Sequence, residues 1–390
     1  MARPDLVTLT SREAQTADTA VWKKDLPKAG GISAIDLGFR LTNGSTGTAN
    51  LDLLDVLRKI ELVFNGTDRR LSLTGQEMFR LHWLKYGKPP AYTWTHRGSG
   101  VSEVRFRYMP GRYVGDTEYG IDLSRFNNVQ LSVDYDATQW GAAAVTTFAT
   151  GTFTPTVLLH MFPPGQVPGF RGMIGQREIW NYTTVGGTVN KDVDLPSSNP
   201  ISGIGIFAME DNIAEATDVT DVIVGKDQFR TRWVDGKWYD LQSVVNRDLT
   251  VKEEVFTLYP TAANNLDTHI ADIDAVNFQS IQLTPTATVS NALNAIGHGT
   301  LVGNRIPIAG STITIDTDAS PTVVGVAMVT GTMTRAVVRG KVHGVLYFPF
   351  GDQTTLADAL QPADLASAQV RLTDAAAGAY TAVVVEEIYR

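Results

Sequence analysis

The chain has no cysteine in 390 residues, and it has no run of 18 uncharged apolar residues. Without cysteine there are no disulfides and no thiolate-bound zinc, so packing and association must provide the stability. Without the apolar run we expect no membrane-spanning helix, and the N-terminus lacks the basic and then apolar pattern of a signal peptide. We therefore expect a soluble protein that is made inside the cell.

Positive charge is also scarce, because 33 Lys and Arg residues face 41 Asp and Glu residues, for a formal net charge of −8. Binding nucleic acid over a large surface needs clustered positive charge. The balance therefore argues against a protein that wraps nucleic acid, and we expect no sequence-specific nucleic-acid partner. Any contact with nucleic acid has to be local.

The first half of the chain is more basic than the whole. Basic residues there are interleaved with aromatic ones, as at a surface that meets lipid headgroups or nucleic acid. Alternation along strands would instead scatter these charges over opposite faces, which favours solvated faces or ion pairs between subunits. The candidates for a membrane-proximal or intersubunit surface are Arg12, Lys23, Lys24, Trp83 and Lys85.

Strand signals dominate what is present. Hydrophobic residues make up 43% of the chain and charged residues 19%, which is typical of a folded protein. Apolar residues alternate with polar ones in IELVF (60–64) and RLSL (70–73), and Asn65 and Gly66 between them predict a tight hairpin. Asp235 and Gly236 are interpreted as a related turn in the second half.

A helix is predicted directly after this hairpin. Thr74 and Glu77 have the spacing of a capping box, and Met78 and Leu81 begin an apolar stripe. Gly87 follows as a stop signal. The sequence therefore predicts one helix that interrupts a run of strands.

The same order of landmarks occurs twice, which is the most informative feature of the chain. The first series contains ISAIDLGFRL (32–41), the hairpin, the helix and TPTVLLHMF (154–162). The second contains ISGIGIFAM (201–209), TDVIVGKDQFRTRWVDG (220–236), the helix-like KWYDLQSVVNRD (237–248) and YTAVVVEEIY (380–389). Self-similarity on this scale predicts two copies of one all-β unit, and the chain is also too long for a single core.

The second series contains a segment, about 251–338, that has no counterpart in the first. It is too long to be an unstructured loop in a compact domain. It has strand patterns of its own, including VKEEVFTLYP (251–260). We expect an additional β-subdomain that stands away from the main body.

Signals for catalysis or metal binding are weak. The six histidines lack zinc-site spacing, and the HExxH, GxSxG and phosphate-loop motifs are absent. Asp272 and Asp274, and likewise Asp316 and Asp318, alternate in the inserted segment and are weak candidates for calcium ligands. They lack the glycine and distal glutamate of an EF-hand loop, which favours solvated turns. We expect no enzyme activity, no cofactor and no metal.

This organisation resembles a known family. The stretch 25–90, with DLPKAGGISAIDLGF and LDVLRKIELVFNGTDRRLSLTGQEMFRLHWLKYG, looks like the N-terminal coat domain of double jelly-roll major capsid proteins. These proteins form the coats of tailless icosahedral DNA viruses, including membrane-containing bacteriophages and the adenovirus hexon lineage. The stretch is about a sixth of the chain, and the duplicated order extends the resemblance to most of the remainder.

The resemblance implies an all-β fold of two tandem eight-stranded jelly rolls, with short helices in the connections and a β-rich tower in the second roll. The implied division is an N-terminal arm over 1–19, a first roll over 20–170 and a second roll over 171–390, with the tower over about 251–338. The arm either orders on a neighbour or a membrane, or is a frayed end.

The resemblance also implies a structural role. Three copies with two rolls each would form a pseudo-hexagonal block that tiles an icosahedral shell. The implied partners are further copies in the same and neighbouring blocks, penton or vertex proteins, other minor capsid proteins and, in membrane-containing members, an internal lipid membrane. The implied location is the virion, after synthesis in the host cytoplasm.

Two other functions stay open on the sequence alone. The seven tryptophans would suit sugar stacking in a carbohydrate-binding β-sandwich, such as a phage fibre or a lectin-like module. Most of them lie beside predicted strands or helices, which favours packing in the core and at interfaces instead. A glycosidase would need Glu253 and Glu254, or Glu386 and Glu387, to face each other across a cleft. Neighbouring residues on a strand point to opposite faces, which argues against both pairs.

Overall fold

The computed structural model consists mainly of β-strands. It describes residues 3–44, 53–93, 99–138, 148–209, 218–245, 344–365 and 367–390. Between 252 and 341 it describes the backbone of the strands.

The first roll contains these described strands: β1 (Asp5–Thr10), β2 (Thr19–Asp25), β3 (Gly31–Thr42), β4 (Leu57–Phe64), β5 (Asp68–Leu73), β6 (Ala91–Thr93), β7 (Val101–Tyr108), β8 (Ile121–Asp122), β9 (Val129–Asp136) and β10 (Thr154–Phe162). They form two antiparallel sheets, β1-β10-β3-β7-β6 with β8 beside β3, and β2-β9-β4-β5. Alternate side chains such as Leu37, Phe39, Leu62 and Phe64 are at most 1% exposed and form the core between the sheets.

The strands that follow are, in chain order: β11 (Met173–Val185), β12 (Asn190–Asp194), β13 (Ile201–Met209), β14 (Val219–Lys226), β15 (Thr231–Lys237), β16 (Lys252–Pro260), β17 (Leu266–Thr268), β18 (Val276–Pro285), β19 (Leu293–Ala295), β20 (Thr312–Thr317), β21 (Ser320–Gly325), β22 (Thr334–Val342), β23 (Val345–Pro349), β24 (Ala368–Asp374) and β25 (Ala377–Tyr389). The second roll is built from the strand groups β11-β25-β13-β23 and β12-β24-β14-β15. Its core includes Ile204, Ile206, Leu372 and Val385.

The two rolls have the same strand order. The order β1-β10-β3-β7 of the first roll corresponds to β11-β25-β13-β23 of the second, and β2-β9-β4-β5 corresponds to β12-β24-β14-β15. Each roll is therefore an eight-stranded jelly roll, and β6 and β8 are additions to the first. This confirms the duplication and the fold class that the repeated landmarks predict.

One parallel strand pair joins the rolls. Gln176 of β11 lies beside Leu71 of β5, and the pairing makes one continuous sheet, β2-β9-β4-β5-β11-β25-β13-β23. Gly175 permits this approach, because a Cβ atom there would lie 2.5 Å from the carbonyl oxygen of Arg70. We call the region where the two rolls meet, between β5 and β11 and beside them, the seam.

The described α-helices are α1 (Leu53–Val56), α2 (Gly75–Tyr86) and α3 (Trp238–Val245), and short 3-10 helices span Leu123–Arg125 and Pro362–Asp364. The predicted capping box of α2 is confirmed: Thr74 Oγ1 accepts from the N–H of Glu77 at 3.2 Å, and Glu77 Oε2 accepts from the N–H of Thr74 at 2.8 Å. Gly87 ends the helix with a φ of 71°. α2 follows β5 and α3 follows β15, so the helices occupy matching positions in the two rolls.

The first predicted hairpin turn is confirmed and the second is wrong. Asn65 and Gly66 have φ values of 51° and 82° between β4 and β5. In the second roll the turn lies at 227–229, where φ is 54°, 56° and 62°, whereas Asp235 and Gly236 lie inside β15. β15 is an edge strand, and an edge tolerates a glycine that would weaken a central strand.

Part of the predicted N-terminal arm belongs to the first roll. Asp5–Thr10 forms β1, which pairs with β10 at the edge of its sheet. The backbone N–H groups of Glu13 and Gln15 then donate to the carbonyl oxygens of Pro155 and Phe153 at 3.1 and 3.0 Å. This stretch is therefore bonded to the roll within a single chain.

The inserted segment lies between α3 and β23. Its described strands form one sheet of order β17-β16-β22-β18-β19 and a separate hairpin, β20-β21. All of these pairs are antiparallel. The segment is therefore β-rich, as the fold prediction expects.

Candidate functional site at the seam and the outer edges

α2 fills space between the two rolls. Its apolar side chains share one cluster with residues of the second roll that include Phe207, Tyr347, Ala382 and Val384. Cδ1 of Leu81 lies 3.6 Å from the position that a Cβ atom would take on Gly205. On β25, Val384 therefore faces α2, whereas Val383 and Val385 face the core of the second roll.

A buried ion pair crosses the seam. Nζ of Lys85 on α2 lies 2.7 Å from Oε1 of Glu386 on β25, whose side chain is fully buried. Tyr347 Oη donates to Glu386 Oε2 at 2.6 Å, and Gln176 Nε2 donates to Oε1. Burial alone would raise the pKa of Glu386, but the charge of Lys85 and the hydrogen bonds hold it below its ordinary value. Glu386 is therefore ionised, and Lys85 balances its charge.

A second polar cluster lies at the start of α2. Tyr380 Oη is 3.0 Å from Glu178 Oε2 and 3.3 Å from Glu77 Oε1, and Lys59 Nζ is 2.7 Å from Glu178 Oε2. Burial and the charge of Glu178 raise the pKa of Glu77 to about 7. Burial also acts to raise the pKa of Glu178, but the hydrogen bond from Lys59 brings it below its ordinary value. Of the two carboxyls, Glu77 is therefore the one that binds a proton more readily.

Aromatic contacts tie the rolls together near β5. The guanidinium carbon of Arg70 lies 4.7 Å from the ring centroid of Tyr389 and 4.8 Å from that of Phe64, at distances typical of cation–π contacts. Tyr108 Oη donates to the carbonyl oxygen of Ile174 at 2.6 Å. Residues of the first roll thus bond to both β11 and the C-terminal strand of the second.

Sequence reasoning did not predict that these residues meet at the seam. It considered Glu386 and Glu387 only as a glycosidase pair, and the structure gives them separate partners, Lys85 for Glu386 and Arg177 for Glu387. A signal was present, because two adjacent acids in an otherwise apolar strand need buried counter-ions or hydrogen bonds. The side chains of Glu253 and Glu254 lie outside the described residues.

The predicted interface residues lie in two places. Arg12 and Lys23 are exposed at the outer edge of the first roll, and Nζ of Lys24 lies nearby, 2.9 Å from Oε2 of Glu13. An intersubunit or membrane-proximal role for these three stays a prediction. Lys85, in contrast, lies inside the molecule in the seam ion pair.

Trp83 is also internal. It is 0% exposed, and its ring meets that of Phe79 edge to face with centroids 5.9 Å apart. Trp22 and Trp238 are 5% and 1% exposed. These three indoles pack in the cores and offer no flat face to a sugar, while Trp94 and Trp140 lie outside the described residues.

Most of the basic residues of the first half have a carboxylate partner in the same chain. The residues in ion pairs include Lys24, Arg58, Lys59, Arg69, Arg70, Lys85, Arg105, Arg107, Arg112 and Arg125. Such pairs neutralise the local excess of positive charge. They favour the interpretation that the charges are distributed over the roll rather than gathered on one basic face.

The side chains of the calcium candidates lie outside the described part of the chain. Asp272, Asp274 and Asp318 lie outside the described residues, and Asp316 lies on β20, whose side chains are not described. Among the described residues there is no group of three or more His, Asp or Glu side chains that could hold a metal ion. No described helix is long and apolar enough to cross a membrane.

Several sheet edges and one helix face are uncovered in the described part of the chain. β1 and β15 each end a sheet, and Leu6 and Val7 on β1 are 61% and 40% exposed. On α3, Tyr239 and Val244 are 54% and 61% exposed. Unpaired strand edges with apolar side chains are sites at which another chain can add.

Comparison with solved structures places the fold among viral coat proteins. The chain is similar to the major capsid protein P2 of bacteriophage PM2, with a TM-score of 0.50 and 10% identity over 99% of this chain and 98% of that chain. It is also similar to the major capsid protein of STIV, with a TM-score of 0.49 and 11% identity over 96% and 95% of the two chains. The Faustovirus major capsid protein matches with a TM-score of 0.43 and 8% identity, over 99% of this chain and 88% of that chain.

No protein-family model and no curated protein matches the chain. The similarity to P2 extends over nearly the whole of both chains at 10% identity, so what it establishes is the fold. Together with the duplicated strand order, it shows that this chain has the double jelly-roll fold.

Proposed function

We propose that the chain is the major capsid protein of an icosahedral virus and that its function is structural. The observation that carries the proposal is the fused pair of jelly rolls, since the major capsid protein P2 has the same fold over 98% of its length. Two rolls of one design joined by a shared sheet give a subunit with two similar outer sides. Such a subunit is suited to building a closed shell. We propose that the chain is not an enzyme and binds no cofactor.

The proposed building block is a homotrimer. Three copies around an axis bring together six rolls, which form a body with six nearly equivalent sides that can tile a flat facet. The uncovered edges β1 and β15 support association, because a monomer leaves the outer backbone groups of both strands exposed, together with the side chains of Leu6 and Val7 on β1. Obligate interfaces of this kind bury more than roughly 2,000 Å² per contact.

The remaining parts of the chain receive roles within the shell. We assign the first roll to 20–170 together with β1, the second roll to 171–390, and the tower to about 251–338. We assign contact with a neighbouring copy or an internal membrane to the N-terminal stretch 1–19, which includes the exposed edge of β1, together with Lys23 and Lys24. Further partners are neighbouring blocks, penton or vertex proteins and other minor capsid proteins. The protein acts in the virion after synthesis in the host cytoplasm.

Electron microscopy of the purified full-length chain tests this function. We expect hexagonal blocks, or shells built from them. Particles of single-chain size that bind or cleave sugars would overturn the proposal in favour of a carbohydrate-binding module or a glycosidase.

A further inference from the structure

We propose that one end of the core of the second roll is a structural site for a divalent cation of the Ca²⁺ class, with Asp374 and Asp218 as carboxylate ligands and the hydroxyl of Thr381 as a neutral ligand. The cation braces the second roll and takes part in no reaction. The proposal concerns residues of a single chain, so it stands or falls separately from the proposed assembly.

Strand registers show which residue of the first roll corresponds to Asp374. In the first roll, Tyr135 on β9 pairs with Leu57 on β4, and a β-bulge follows Leu57. In the second roll, Asp374 on β24 pairs with Val219 on β14, and a β-bulge follows Val219 in the same place. Asp374 therefore occupies the position of Tyr135.

This end of the core is aromatic in the first roll and polar in the second. The ring centroid of Phe153 lies 4.0 Å from that of Tyr135 and 5.9 Å from that of Phe39. Counted from the repeated motifs ISAI and ISGI, Phe39 corresponds to Ala208 of the second roll. The second roll therefore has an alanine and a carboxylate where the first has two aromatic rings, and both residues are 0% exposed.

A second buried acid lies next to Asp374. Asp218 corresponds to Val56 of the first roll, because each directly precedes the paired residue at the bulge. The carbonyl oxygen of Asp218 accepts from the N–H of Ala375 at 2.9 Å, which keeps this residue beside the end of β24. Asp218 is also 0% exposed, so two acids have replaced apolar core residues at one end of the second roll.

The oxygens at this end of the core include some that need a partner. Asp374 Oδ1 accepts from Tyr182 Oη, whereas its buried Oδ2 has no hydrogen bond within the described chain. Thr381 pairs with Tyr182, so their side chains lie on the same face of the sheet, and the buried Oγ1 of Thr381 has no hydrogen bond to the described residues either. Oxygen atoms buried in this way are costly unless a hydrogen bond or an ion satisfies them.

The ligand types select a hard divalent cation. Ca²⁺ takes about six to eight oxygen ligands in a flexible geometry, whereas Mg²⁺ demands a near-ideal octahedron and usually keeps several waters. A buried site made of two carboxylates and neutral oxygens therefore suits Ca²⁺ better. The carboxylates of Asp218 and Asp374 balance the charge of one such ion, so a third acid is not required.

A lysine is the competing counter-charge. Nζ of Lys191 lies 5.7 Å from the ring centroid of Tyr182, on the strand that pairs with β24. It does not bond to Asp374 Oδ2, which has no hydrogen-bond partner among the described residues. If Lys191 balanced Asp374, its removal would destabilise the chain and Ca²⁺ would have no effect, and the experiments below distinguish the two cases.

Thermal unfolding of the full-length chain in CaCl₂ and in EDTA tests the site. At a Ca²⁺ concentration about 100 times the dissociation constant, the melting temperature is expected to be about 5–10 °C higher than in EDTA. Asp374→Asn keeps an acceptor for Tyr182, removes a ligand charge and is expected to lose this shift. Asp352→Asn, at an exposed aspartate, is the matched control and is expected to keep it. No shift in the wild type, or the same shift in Asp374→Asn, overturns the proposal.

Tb³⁺ luminescence gives a second measurement that does not depend on unfolding. Tb³⁺ takes the place of Ca²⁺ at oxygen sites and emits when a nearby aromatic ring transfers energy to it. Emission excited through tyrosine is expected in the wild type, is expected to fall several-fold in Tyr182→Phe or on addition of excess Ca²⁺, and is expected to persist in Lys191→Met. Emission that Tyr182→Phe leaves unchanged, or a Lys191→Met chain that is destabilised and does not respond to Ca²⁺, overturns the site.

Discussion

Nζ of Lys85 lies 2.7 Å from Oε1 of Glu386, although the two residues are 301 positions apart in the chain. One belongs to the helix of the first roll and the other to the last strand of the second. The ion pair therefore joins the two halves of the duplicated chain at one point of the seam.

Removal of Lys85 is expected to destabilise the whole molecule. Lys85→Ala leaves the fully buried carboxylate of Glu386 without its counter-ion, and breaking such a pair typically costs about 3–5 kcal/mol of unfolding free energy. Urea denaturation measures the change. Arg105→Ala breaks the exposed pair with Glu103 and is the control, with an expected cost below about 1 kcal/mol. Equal effects of the two substitutions would contradict a structural role for the seam pair.

The raised pKa of Glu77, at the start of α2, predicts a pH dependence. The pKa of Glu77 is raised from 4.5 to about 7 in the folded chain, so between these values the folded state binds more protons than the unfolded state. The contribution of Glu77 to the unfolding free energy is therefore largest at low pH and falls as pH rises through this window. Glu77→Gln keeps the capping acceptor and removes the titration.

Denaturation of both proteins near pH 5 and near pH 8 checks this prediction. Relative to wild type, Glu77→Gln is expected to gain stability as the pH is raised, because the cost of ionising the buried carboxyl is absent. Parallel pH profiles for the two proteins would show that Glu77 titrates normally in the folded state.

The close approach of β5 and β11 predicts a large effect from a single methyl group. Gly175→Ala would place Cβ 2.5 Å from the backbone oxygen of Arg70, so the strands must separate, at a cost of about 1–3 kcal/mol. Gly169→Ala, where a Cβ would meet nothing within 4 Å, is the control. Thermal unfolding measures both, and an unchanged melting temperature for Gly175→Ala would mean that the seam is looser than the structure has it.

Deletion of residues 1–14 is expected to abolish association while leaving most of the first roll folded. The deletion removes β1, which is the edge that a second copy is proposed to cover. Circular dichroism monitors the fold and light scattering monitors the mass. A deleted chain that assembles as the wild type does would exclude β1 from the interface.

Local signals in the sequence predicted much of this fold. Alternating apolar residues with Asn65 and Gly66 identified the first hairpin, and Thr74 and Glu77 identified the start of α2, because each pattern lies within a few residues. The order of such elements then identified the duplication. The predicted turn at Asp235 and Gly236 was wrong, because this dipeptide occurs both in turns and in edge strands.

The seam could not be predicted in the same way. Its pairs join residues that are far apart in the chain, as Lys59 with Glu178 and Lys85 with Glu386. A single sequence does not reveal which buried cation meets which buried acid.

The most direct test of the central claim is the mass of the purified chain in solution, measured by light scattering after size-exclusion chromatography. A capsid building block of the proposed kind has three times the chain mass of 42.3 kDa and keeps it on dilution. A chain that elutes as a monomer at every concentration would contradict the account.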